Sequence, residues 1–207
     1  MLKKLNRTTA ETPQTHPIKV LQFGEGNFLR SFVDWMIDIL NERTAFRGAV
    51  QIVQPIQNGM GKQLNSQDGL YHVLLNGIQQ GKPVRELRLI TCVADVANPY
   101  EDYQAFLATA ENPDLEFIIS NTTEAGIAFN PLDKSVGVRG ESFPAKLTAL
   151  LFHRYKFFNG DPDKALTVMP CELIEKNGET LRDAILQYIG YWKLEESFRE
   201  WINRYVL

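Results

Sequence analysis

The chain has 207 residues, with 22 lysines and arginines against 25 aspartates and glutamates, for a net charge of −3. That length suits one large α/β domain and is short for two, and the slight negative charge gives no electrostatic basis for binding nucleic acid. No stretch is long and apolar enough to span a bilayer as a helix, and no apolar run follows Lys3, Lys4 and Arg7, so no secretory signal is expected.

Residues 1–17 read as a mobile polar tail that ends at Pro17. Ile18 to Phe23 is then a buried strand, and Leu29, Phe32, Val33, Met36, Ile39 and Leu40 recur at helical spacing. Gly48 closes that helix and Ala49 to Gln54 is a second strand. The unit is a β-α-β crossover of about thirty residues. Gln57 to Gly69 is polar and glycine-rich and reads as a loop. Leu70 to Leu75 and Val84 to Val93 read as the arms of a hairpin with Asn76-Gly77 and Gly81 between them, the second arm running on into a core strand at Leu89 to Val93.

Asn98-Pro99 carries a helix-start signature. Leu115 to Ser120 and Ala165 to Met169 are further buried strands. Ser142 to Asn159 is a helix stopped by Asn159-Gly160, and Leu181 to Trp192 is another. Alternation of this kind predicts a Rossmann-like α/β fold: a doubly wound, mostly parallel sheet with helices on both faces and an inserted β-hairpin. Phe198, Trp201, Ile202 and Tyr205 form a last amphipathic stripe. The expected division is therefore a tail over 1–17, a nucleotide-binding domain over 18–194, and at 195–207 the start of a second, helical domain that continues past Leu207.

Cys92 and Cys171 are far apart and belong to no Cys-x-x-Cys pair, which fits a reducing compartment. His16, His72 and His153 are scattered without metal-ligand spacing, so no metal site is expected.

Three segments carry the chemistry. Phe23-Gly24-Glu25-Gly26-Asn27-Phe28-Leu29 follows the first strand and opens the first helix, the setting a dinucleotide site needs. Gly24 permits the tight turn, Gly26 lets backbone N–H groups reach a diphosphate, and the helix N-terminus adds partial positive charge. Leu29 stands where the usual fingerprint has its third glycine. The second strand ends Val53-Gln54-Pro55 without a carboxylate, so Gln54 is the group left to meet a ribose. The absence of an arginine there favours NAD over NADP.

The second segment, Asn121-Thr122-Thr123-Glu124, lies at a strand's carboxyl end, where open α/β sheets bind ligands; it reads equally as a polar turn. The third, Pro170 to Gly178, puts Lys176 and Asn177 at the same edge, and by composition also reads as a solvated helix start capped by Asn177. A methyltransferase using S-adenosylmethionine, or a nucleotide-sensing domain without catalysis, would also use a glycine loop after the first strand.

Together, the runs Gln22 to Arg30, Ile119 to Ile127 and Pro170 to Gly178 resemble the mannitol dehydrogenase family of polyol-specific long-chain dehydrogenases, with Asp68-Gly69-Leu70-Tyr71 and Asn98-Pro99-Tyr100 in keeping. The resemblance implies a metal-independent, NAD-dependent oxidoreductase of the cytoplasm acting on a small sugar-acid substrate from hexuronate breakdown. It implies an N-terminal Rossmann domain whose partner is the protein's own helical C-terminal domain, with no role for nucleic acid or membrane. The family's catalytic lysine, with its nearby asparagine and histidine, belongs to that C-terminal domain. No residue here matches it, so the chain alone is expected to be inactive. Some members carry an asparagine two places after the cysteine; here Leu173 stands there.

Overall fold

The structure is a computed structural model that describes residues 4–13, 16–123 and 126–206. The elements in chain order are β1 (Ile18–Phe23), α1 (Asn27–Arg43), β2 (Ala49–Val53), α2 (Gly61–Asn65), β3 (Tyr71–Gln79), β4 (Lys82–Ile90), β5 (Val93–Ala97), α3 (Tyr103–Ala108), β6 (Phe117–Ser120), α4 (Phe143–Phe157), β7 (Thr167–Pro170), α5 (Asn177–Tyr191) and α6 (Glu196–Tyr205). β5, β2, β1, β6 and β7 form, in that order, one parallel five-stranded sheet. β3 and β4 pair antiparallel as a sheet of their own. The predicted Rossmann-like architecture and the hairpin are both present.

β1 is central and buried on both faces, as a parallel strand between helical layers must be. Val20 packs with Leu29, Val33 and Ile37 of α1 and with Val50 and Ile52 of β2. Leu21 and Phe23 point the other way, toward Phe106, Leu147, Leu150 and Ile185. The inner face of α1 is therefore the Leu29–Val33–Ile37 stripe, joined by Asp34 and Asp38, while Phe32 and Leu40 are exposed.

Four local expectations are corrected. The stretch 57–69 contains the short helix α2. The hairpin's second arm ends at Ile90, and the core strand is Val93–Ala97 rather than Leu89–Val93. The chain changes partners there, from antiparallel β3 to parallel β2. Asn98-Pro99 does not open a helix: Asn98 is spent on a turn, its carbonyl accepting from Glu101 and Asp102 N–H, and Asp102 caps α3 through Ala105 N. Asn177 is the first residue of α5 and not its cap; Lys176, in left-handed conformation, precedes it.

The signals for the two ends of α4 hold. Ser142 caps α4 through Ala145 N, and Asn159 and Gly160 end it with positive φ. The polar stretch ahead of β1 is tied down at Arg7, whose guanidinium donates to the carbonyls of Thr91 and Val93. The aromatic stripe of α6 finds its cover in α4: Phe198 lies 5.1 Å from Phe152 and 5.3 Å from Tyr155, and Trp201 lies 5.7 Å from Tyr155. Phe198, Trp201 and Ile202 are thereby buried in the same core as β1, each worth about 1.5–3 kcal/mol in apolar burial.

Candidate functional site: the carboxyl edge of the sheet

Order in the sheet brings the three predicted segments together. Phe23 at the end of β1 is level with Val53 of β2 and Ser120 of β6, and Ser120 with Pro170 of β7. The crossover from β1 runs to β2 on one side, and β6 flanks β1 on the other. The gap between β1 and β6 is thus the topological switch point, where open α/β sheets bind ligands.

The β1–α1 loop turns at Gly24, with φ +130°. A Cβ there would sit 3.0 Å from Leu29 Cδ1 and 3.4 Å from the Asn121 carbonyl. Leu29, in place of a third glycine, is buried directly beneath Gly24 and makes the close helix–strand contact itself. Gly26 is the N-cap of α1, with an ordinary φ of −70° and no side-chain cap bond. A Cβ added there meets nothing within 4 Å. Among the described residues, no acceptor takes the N–H groups of Asn27, Phe28 or Leu29. The mouth of a 17-residue helix therefore presents free donors and the positive end of its dipole to open space, as an anionic diphosphate requires.

Not every predicted side chain faces that space. Phe23 is a core residue, packed 5.0 Å from Phe143 and 6.1 Å from Phe106, and offers only its backbone. Glu25 is buried; its Oε1 accepts from Met60 N at 2.7 Å, which clamps this loop to the one after β2. Burial raises its pKa, opposed by the Met60 N–H and by Arg30. Asn27 and Phe28 are exposed, Phe28 stacked 5.3 Å from Phe32.

Gln54 is corrected: at 2 % exposure it points inward. Its Nε2 donates to the carbonyls of Ile56 and Gln57, and its Oε1 accepts from Gly61 N. With both donors spent on shaping the loop, it has none to offer a ribose.

Across the switch point, Asn121 bridges strands: its N–H donates to the Phe23 carbonyl and its side chain to the Cys171 carbonyl. Thr122 donates to Glu172 Oε1 through both N–H (2.8 Å) and hydroxyl (3.0 Å), and Ser120 hydroxyl donates to Oε2. Glu172, itself buried, is the keystone that joins the ends of β6 and β7. Thr123 is exposed at the rim. Glu124 lies outside the described residues.

Lys176 is exposed, 3.5 Å from Glu179, while the Asn177 side chain reaches back to the carbonyls of Pro170 and Glu172. Among the described residues no group of His, Cys, Asp and Glu could hold a metal ion. A cavity of about 290 Å³ opens beside the carboxyl ends of β2 and β5, lined among others by Gln54, Gly61, Lys62, Asn65, Ala97 and Glu101.

Residue-by-residue reading missed the groups that hold the loop from below. Gln22, fully buried in β1, donates to the Gly24 carbonyl at 3.0 Å. Arg30 Nε donates to the Glu25 carbonyl at 2.8 Å, its guanidinium carbon 5.2 Å from the centre of the Tyr71 ring. Their signal was present as a polar residue inside an apolar strand and a cation in the first turn of α1.

A family model described as the mannitol dehydrogenase Rossmann domain matches residues 18–207. The chain belongs to the mannitol dehydrogenase family. Among the curated proteins it is 50 % identical over 202 residues to an altronate oxidoreductase of Phocaeicola vulgatus, 46 % over 202 residues to that of Bacillus subtilis and 45 % over 204 residues to that of an Escherichia coli strain. In each case 98 % of this chain is covered and 42 % of the relative, so the chain spans well under half the length of these family members.

Its fold is shared with the solved Pseudomonas fluorescens mannitol 2-dehydrogenase, a ternary complex with NAD and D-mannitol. The TM-score is 0.79 at 19 % identity, over 99 % of this chain and 45 % of that one. A D-sorbitol dehydrogenase in substrate-free form gives a TM-score of 0.73 at 21 % identity, over 97 % and 45 %.

Proposed function

We propose that this chain is the NAD-binding domain of a tagaturonate reductase (altronate oxidoreductase), the cytoplasmic enzyme of hexuronate breakdown that interconverts D-altronate and NAD⁺ with D-tagaturonate, NADH and a proton. The observation that carries the reading is the open mouth of α1, where Gly26 leaves room that a Cβ would fill and three N–H groups lack acceptors. The names of relatives 45–50 % identical to this chain support the substrate.

In this reading the free N–H groups of Asn27, Phe28 and Leu29 bind the cofactor diphosphate. Thr122 and Thr123 stand on the β6 side of the switch point, toward the nicotinamide end, with Glu172 fixing Thr122 in place. Lys176 and Asn177 lie toward the substrate, Lys176 with its side chain exposed. NAD⁺, when bound, accepts the hydride from the substrate's carbinol carbon. The hydroxyl proton needs a base, which we assign to the helical domain that the family carries beyond its Rossmann domain. Lys62, the nearest cation in sequence to the end of β2, is engaged by Glu101 at 2.8 Å, so a 2′-phosphate would have to break that pair, and the cofactor is NAD rather than NADP.

Titration by NADH fluorescence tests this. NADH should bind saturably, with NADPH at least about tenfold weaker, and the chain should not oxidise NADH with tagaturonate by itself. Absence of saturable NADH binding would overturn the cofactor reading. Robust turnover would show that the proton donor lies within residues 1–207.

A further inference from the structure

Dinucleotide folds commonly place an acid at the end of the second strand for the adenosine ribose. Here Gln54 stands in that position and is committed to its own loop. A carboxylate nevertheless reaches the same place from β1. The Gly24 N–H donates to the Val53 carbonyl at 3.2 Å, which draws the β1–α1 loop against the end of β2. The side chain of the next residue, Glu25, then extends to the turn after β2, where its Oε1 accepts from Met60 N at 2.7 Å. A Cβ added to Gly59 would fall 1.9 Å from Glu25 Oε1 and 2.7 Å from Gln54 Cδ. The carboxylate and the Gln54 amide therefore lie side by side against that glycine, just past the end of β2.

The loop clamp uses one oxygen of this carboxylate and leaves the other idle. Glu25 is 6 % exposed, and its Oε2 is buried without a hydrogen-bond partner among the described residues. A clamp on Met60 N needs a single acceptor, which the carbonyl of a glutamine would supply equally well. A buried carboxylate with a spare oxygen costs free energy until a donor meets it. Gln54 is not that donor, because its Nε2 already serves the carbonyls of Ile56 and Gln57.

We propose that Glu25 is a specificity-determining residue whose Oε2 accepts a hydroxyl of the adenosine ribose, in place of an acid at the end of β2. The ribose adjoins the diphosphate in the cofactor, and Glu25 adjoins Gly26 in the chain, so one short loop serves both groups. Protein covers Oε2 here, and the ribose enters by an outward shift of the exposed Gly59-Met60 turn. Burial raises the Glu25 pKa, while the Met60 N–H and Arg30 lower it, and a hydroxyl donor at Oε2 favours the ionised form further. The same charge repels a 2′-phosphate at close range, so Glu25 selects NAD independently of the Lys62–Glu101 pair.

The inference rests on the proposed NAD site, and the test separates the two. Affinities for NADH, for NADPH and for the NADH analogue whose adenosine lacks both ribose hydroxyls are measured by fluorescence, for the wild-type chain and Glu25→Gln. The glutamine carbonyl keeps the bond to Met60 N, so the variant should melt close to the wild type. The wild type should bind the analogue at least about tenfold more weakly than NADH. Glu25→Gln should lose about tenfold in NADH affinity, bind the analogue as the wild type does, and prefer NADH over NADPH by a smaller factor. A wild type that binds the analogue as tightly as NADH would overturn the inference, and that comparison needs no variant. So would a Glu25→Gln protein that keeps the full wild-type penalty on the analogue, the result a purely structural clamp would give. Either outcome leaves the diphosphate site intact, whereas a wild type that binds no NADH would sink the site itself.

Discussion

Gly26→Val is expected to abolish NADH binding while leaving the domain folded. At φ −70° and ψ 166° the backbone of residue 26 is extended, a conformation that valine adopts without strain. The added Cβ meets no protein atom within 4 Å. The folding cost is the loss of a tolerated glycine N-cap, about 1 kcal/mol or less, and the melting temperature should fall by only a few degrees.

Binding pays much more. The isopropyl group fills the space in front of the N–H groups of Asn27, Phe28 and Leu29 and denies the diphosphate hydrogen bonds worth about 1.5–3 kcal/mol each. A rise in Kd of at least about a hundredfold follows, by calorimetry or fluorescence. A variant that binds NADH as the wild type does would place the diphosphate elsewhere. Gly24 cannot serve this purpose: its φ of +130° and its contact with Leu29 make any substitution there a folding defect first.

The second large effect concerns the opposite edge of the sheet. Arg154, at 1 % exposure, donates to the carbonyls of Lys164, Ala110, Asn112 and Leu115. These carbonyls precede β6 and β7, so the guanidinium gathers the amino ends of both strands against α4. Its pKa is lowered to about 10 by burial, which leaves it charged at neutral pH. Truncation by Arg154→Ala strands four carbonyls in the interior and removes the stacking 4.8 Å over Phe158.

The expected loss is about 3–5 kcal/mol, a large share of the roughly 5–15 kcal/mol that holds a domain together. Urea denaturation should show a lower midpoint at unchanged slope. Arg154→Lys should recover little, because an ammonium cannot reach four carbonyls in a plane. A loss under about 1 kcal/mol would mean that the carbonyls find other partners. The edges of the sheet thus divide the labour: Arg154 carries stability at the amino ends, and the glycine loop carries binding at the carboxyl ends.

How much of this was legible in the sequence depended on how each element is stabilised. β1, β2 and β6 were plain, because a strand buried on both faces must be a run of aliphatic residues. β5 was not: its small apolar residues are interrupted by Asp95, which accepts from Gln51 across the strands, and the bulkier run Leu89 to Val93 just ahead of it gave the stronger strand signal. α2 is a five-residue helix, too short for periodicity to register.

In the site, the three loops were legible as strand ends followed by turn residues. Their meeting at one edge was an inference from fold class that the strand order bears out. The inward turn of Gln54 was hidden, because composition does not say which way an amide points. Gln22, Asp34 and Glu172 were hidden for a related reason. A polar residue in an apolar run is ambiguous until its partners, 37 residues away for Asp34 and 50 to 52 for Glu172, are brought alongside by the fold.

The most direct measurement is a crystal structure of this chain with NAD. The diphosphate oxygens should lie about 3 Å from the N–H groups of residues 27–29, over the gap between β1 and β6. A diphosphate bound elsewhere, for instance in the cavity beside Lys62 and Glu101, with the mouth of α1 empty, would contradict the account.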